Sequence, residues 1–165
     1  AEGLRLASVP RMSDLSSMPP PAGPTEAPGA VRKDAVLLIE DNETIAGLLK
    51  ALMRSLGLRV LWCAEGGEAL QVFQAHRHEI GLVLADCRLP DMDGRDVCLK
   101  LREAVPNLPV LVTSGSVSGR GVAPLPRCRS VDYLPKPYAP SELLTRVRRL
   151  LAEAGGGAAS SAGLV

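Results

Sequence analysis

The sequence predicts an α/β fold, a doubly wound, five-stranded parallel sheet with helices on both faces. Two observations carry that expectation. From Asp34 to Glu153, short continuous apolar runs alternate with stretches whose apolar residues recur at helical spacing. Acids, a hydroxyl and a lysine stand at the ends of those runs, where open parallel sheets gather their function.

The elements follow in order. Ala35–Ile39 is a buried strand that ends in two acids. Glu43–Leu56 places Ile45, Leu48, Leu49, Leu52, Met53 and Leu56 at helical spacing, and Gly57 is suited to terminate it. Leu58–Cys63 is the second strand. Gly66–Ala75 is the second helix, with Ala69, Leu70 and Phe73 inward. Ile80–Ala85 is the third strand, and Asp93–Ala104 a helix that buries Val97, Cys98 and Leu101. Pro109–Thr113 and Val131–Leu134 are the fourth and fifth strands. Pro140–Leu151 closes the series, with proline in its first turn and Leu143, Leu144, Val147, Leu150 and Leu151 on one face. Between the last two strands, Ser114–Ser130 holds Gly115, Gly119, Gly121, Pro124 and Pro126. A regular helix there would lose roughly 1 kcal/mol per glycine and about 3 per interior proline, so this fourth crossover is expected to be irregular.

Composition narrows the function classes. The formal net charge of +1 gives no electrostatic argument for nucleic acid or an anionic membrane. No apolar run approaches the ~20 residues of a membrane span, and none of signal-peptide length precedes Pro10. Cys63, Cys87, Cys98 and Cys128 lack metal-ligand spacing and read as reduced thiols of a cytoplasmic protein. Residues 1–33, rich in Pro, Ser, Ala and Gly, are expected to be a flexible linker. Residues 34–153 form the domain, and 154–165 a flexible tail.

The chemistry gathers at the carboxyl ends of the strands. The first strand delivers Glu40 and Asp41, the third Asp86, the fourth Thr113, and Lys136 follows the fifth at once. Packed carboxylates repel unless a cation binds or a proton stays on. Oxygen ligands of this kind suit Mg²⁺, which keeps several waters and commonly shares phosphate oxygens. With Lys136, such an ion would offset charge on a phosphoryl group in transfer, and Asp86 is placed to be its carboxylate nucleophile.

Four pieces of the chain, LLIEDN, LADCRLPDMDG, VTSG and YLPKPY, resemble the receiver domains of two-component response regulators. The resemblance runs from Asp34 to Glu153 and implies a flavodoxin-like sheet of strand order 2-1-3-4-5. It implies that Asp41 ligates Mg²⁺ directly, that Glu40 supports it, and that the Arg88 carbonyl adds a ligand. Asp86 is then the modified residue, which accepts a phosphoryl group from a histidine kinase or a histidine phosphotransfer protein. Thr113 would bind one phosphoryl oxygen and Lys136 another, and the peptide bond before Pro137 would be cis. Tyr133 matches the family's aromatic switch position. Arg88 and Gly115 occupy positions that tune dephosphorylation in the family. The domain on this reading catalyses no more than its own phosphotransfer and dephosphorylation, and is monomeric in isolation. The YLPKPYAPSELLTRVRRLL ending is similar to carboxyl-terminal receivers of hybrid histidine kinases, with a stand-alone regulator as the alternative.

Other readings compete at several positions. A haloacid dehalogenase-type phosphatase also uses an aspartate nucleophile, but needs a second acid where Arg88 stands. A flavin-binding module would need a hydroxyl- and glycine-rich loop where the chain has Glu40-Asp41-Asn42. Tyr133 also reads as half-buried packing, and so does Tyr138. His76 and His78 read as exposed polar residues, and Arg146, Arg148 and Arg149 as a solvated helix face.

Overall fold

The computed structural model describes residues 33–115, 125 and 128–156. The strands are β1 (Ala35–Ile39), β2 (Arg59–Cys63), β3 (Ile80–Asp86), β4 (Val110–Ser114) and β5 (Val131–Pro135). The helices among the described residues are α1 (Glu43–Ser55), α2 (Gly66–His76), α3 (Gly94–Ala104) and α4 (Pro140–Gly156). Every strand pair is parallel and the sheet order is β2-β1-β3-β4-β5, as expected. Most of the crossover expected to be irregular, of the expected linker and of the expected tail lies outside the described residues.

The pleat sends alternate side chains to opposite faces, and both faces are covered. Along β1, Ala35, Leu37 and Ile39 join Phe73 of α2 and Val97 and Leu101 of α3 in one cluster. Val36 and Leu38 join Leu49 and Met53 of α1 and Leu143, Val147 and Leu150 of α4 in the other. That is why β1 is apolar throughout rather than alternating. Leu125, 1% exposed, joins the first cluster.

Helices α1 and α3 begin on local signals. The Asn42 carboxamide oxygen accepts from the amides of Thr44 and Ile45 at 3.0 and 3.1 Å, capping α1. Gly57 follows that helix with φ of 76°, the left-handed conformation that glycine adopts without penalty. Asp93 is the cap of α3 rather than its first residue, and its carboxylate accepts from the Arg95 amide. Three expectations are corrected. Leu48 is 56% exposed, because Ala46, Leu49 and Met53 form the buried stripe of α1. Helix α4 runs on from Leu151 to Gly156, since Ala152, Glu153 and Ala154 are strong helix formers. Arg146 and Arg149 are not simply solvated: both pair with Asp132 of β5.

Candidate functional site

In this order the sheet winds outward in opposite directions from β1 and β3, all strands staying parallel, so a crevice opens at their carboxyl ends. Glu40 continues β1, its amide donating to the Cys63 carbonyl at 3.1 Å. Asp86 is the last residue of β3 and lies in register with Thr113, which lies in register with Leu134. The Lys136 amide donates to the Ser114 carbonyl at 2.7 Å, which holds the lysine against β4 as β5 ends. The Lys136–Pro137 bond is cis, as the resemblance implied.

These strand ends bring the polar residues together. Carboxylate oxygens of Glu40, Asp41 and Asp86 lie within 4.8 Å of one another, a donor set that fits a hard divalent cation. It is the one such acidic group among the described residues. The Lys136 ammonium donates to Asp86 Oδ2 at 2.6 Å and stands 3.9 Å from Glu40 Oε2. The Arg88 amide donates to the other Asp86 oxygen at 3.1 Å. The Thr113 hydroxyl, 2% exposed, lies 3.5 Å from the Ala85 carbonyl, one residue from the acceptor candidate. The Arg88 side chain crosses to β4, where its Nη2 lies 3.4 Å from where a Cβ on Gly115 would stand.

Burial and charge oppose each other here. Glu40 is 2% exposed, and desolvation pushes its carboxyl above the usual range against the Asn42 amide and Lys136, which pull it down. For Lys136 burial pulls the ammonium down, but the hydrogen bond and charge of Asp86, with Glu40, outweigh it and leave it raised. Lys136 is therefore a fixed cation at neutral pH.

Tyr133 is half-buried against the cluster on the α2 and α3 face, and its hydroxyl donates to the Leu125 carbonyl at 3.4 Å. Burial raises its phenol. Tyr138 packs on the opposite face. His76 contacts Glu79 at 3.2 Å through Nδ1. All four cysteines are free, and burial pushes the thiols of Cys63 and Cys98 up to about 12. Three features were not foreseen. The Trp62 indole donates to the Glu40 carbonyl at 2.9 Å, and the Lys50 ammonium stands 3.6 Å over the Trp62 ring. Asp91, between β3 and α3, accepts from two amides of α2.

Comparison with known proteins gives a consistent result. The family model for the response regulator receiver domain matches residues 36–148. The chain is 37% identical over 118 residues to the response regulator MprA of Mycolicibacterium vanbaalenii, covering 70% of this chain and 49% of that one. It is 32% identical over 117 residues to the sensor kinase CckA of Brucella abortus, covering 70% of this chain and 12% of that one. Among solved structures, the receiver domain from hybrid histidine kinase CckA superposes with a TM-score of 0.60 at 29% identity, covering 71% of this chain and 98% of that one. The chain spans about half the length of curated regulators such as MprA.

Proposed function

The chain belongs to the response regulator receiver domain family, and from that premise we propose that Asp86 accepts a phosphoryl group from a phosphohistidine. The observation that carries this reading is the Lys136 ammonium at 2.6 Å from Asp86, beside Glu40 and Asp41. A new bond forms between an Asp86 oxygen and phosphorus as the phosphorus–nitrogen bond breaks. The electron pair stays on the imidazole nitrogen and, with its other ring nitrogen protonated, the donor leaves as neutral imidazole. Asp41 and Asp86, with the Arg88 carbonyl, would hold Mg²⁺, and Glu40 would support it. When bound, that ion supplies positive charge against the phosphoryl oxygens.

The residues of this chain do the remainder. Lys136 ion-pairs with a phosphoryl oxygen once Asp86 is phosphorylated, a charge-assisted contact. Thr113 donates to another. Its hydroxyl then leaves the Ala85 carbonyl, and Tyr133 turns further inward beside β4. The donor on this reading is a histidine kinase or a histidine phosphotransfer protein, and the site works in the cytoplasm.

Asp86→Asn should abolish acid-labile, hydroxylamine-sensitive labelling by a phosphorylated donor. Labelling undiminished in that variant would remove Asp86 from the role. For the parent polypeptide we favour a hybrid histidine kinase, supported by the likeness to the receiver of CckA. A stand-alone regulator is the second reading. A coding frame that continues upstream into a kinase core decides between them.

A further inference from the structure

Helix α2 begins without a cap of its own: Glu65 precedes it and makes no side-chain hydrogen bond to its first turn. The cap comes instead from Asp91, about 25 residues away on the loop between β3 and α3. Its two carboxylate oxygens accept from the amides of Gly66 and Gly67 at 2.9 and 2.8 Å, one oxygen to each. The same loop packs on that helix end through Met92. A Cβ on Gly66 would lie 2.6 Å from the Met92 side chain and 2.6 Å from Val97, so a residue without one is needed for this approach.

The other end of the loop touches the acceptor. The Arg88 amide donates to Asp86 Oδ1 at 3.1 Å. At its root the loop is closed by the Gly94 amide on the Cys87 carbonyl at 2.9 Å and by the bridge between Arg88 and Asp93. Leu89 and Pro90 are all that separate Arg88 from Asp91. Proline fixes φ and stiffens that short connection. The loop is thus held at its root by backbone, along its length by Leu89 and Met92 packed on the core, and at its tip by the exposed Asp91 carboxylate.

We propose that Asp91 is a positioning residue for the acceptor site: by capping α2 it fixes the loop whose Arg88 amide orients the Asp86 carboxylate and whose Arg88 carbonyl is the expected metal ligand. This inference rests on the acceptor reading above. Groups that orient first ligands commonly change metal affinity by roughly 10- to 100-fold when removed.

The test uses the full chain and the variants Asp91→Ala and Asp91→Asn, the second keeping one acceptor oxygen. Amide hydrogen exchange at Gly66 and Gly67 reads the cap. Mg²⁺ titration followed by Trp62 fluorescence reads the metal site, and uptake of phosphoryl from acetyl phosphate reads the acceptor. In Asp91→Ala both amides should exchange faster, while Mg²⁺ affinity and uptake rate each fall roughly tenfold, with Asp91→Asn between it and wild type. Faster exchange with wild-type metal affinity and rate would overturn the proposal, as would unchanged exchange. Wild type that takes up no phosphoryl group removes both readings. Wild type that does, with an unaffected Asp91→Ala, removes this one alone.

Discussion

Glu40 carries the electrostatic cost of the site. Its carboxyl is 2% exposed and faces Asp41 and Asp86. Burial raises its carboxyl above the usual glutamate range. A raised folded-state pKa on an acid means that the folded state holds the proton more tightly than the unfolded one. Stability is therefore lost as pH rises from about 4.5 through the folded value, and stays lost above it. Glu40→Gln should match wild type at the acid end of that window and exceed it at pH 7, measured by urea unfolding with a chelator present. Added Mg²⁺ should narrow the difference, since it stabilises the ionised wild type more. A variant less stable than wild type at pH 7 without metal would contradict this. At this scale the sequence placed Glu40, Asp41, Asp86, Thr113 and Lys136 at strand ends, and the structure brings Glu40, Asp41, Asp86 and Lys136 into one cluster, with Thr113 in register beside Asp86. It could not place Trp62 on the Glu40 carbonyl or Asp91 on α2. Those contacts join residues more than twenty positions apart, and no local periodicity encodes them.

The elements themselves were legible because period and punctuation agree with packing. Strands apolar on both faces announced a doubly covered sheet, and α1 and α3 end where Gly57 and Pro106 follow them. Their boundaries moved where one residue serves two purposes. Asp93 reads as helix by position but caps α3, and Leu48 fits the apolar period of α1 yet lies outside its buried stripe. Gly94 shows how tightly element and site are joined. A Cβ there would stand 1.9 Å from the Asp86 carbonyl oxygen, so the start of α3 fits against the end of β3 with no side chain between. Gly94→Ala must shift that backbone and should cost about 1–3 kcal/mol in urea unfolding. It should also slow phosphoryl uptake at Asp86. A variant of wild-type stability would show that the junction is looser than it looks.

Across the described residues, two apolar layers hold one sheet, and the site spans the ends of four of its strands. That arrangement suits a signal read as a shift between two packings, which a phosphoryl group biases through its different contacts in each. Moving a population from mostly one packing to mostly the other takes a few kcal/mol, within reach of two charge-assisted contacts. Beryllofluoride should shift the amides of Thr113–Gly115 and Tyr133–Lys136 more than those on the outer face of α1. Thr113→Ala should bind it and largely lose the Tyr133 response. An unmoved Tyr133 environment with the mimic bound would make that residue packing alone. The central claim is narrower, that one carboxylate takes the phosphoryl group. Borohydride reduction after treatment with acetyl phosphate and Mg²⁺ converts an aspartyl phosphate to homoserine, and peptide mapping locates it. The account predicts homoserine at position 86, and its appearance at another aspartate with Asp86 intact would contradict it.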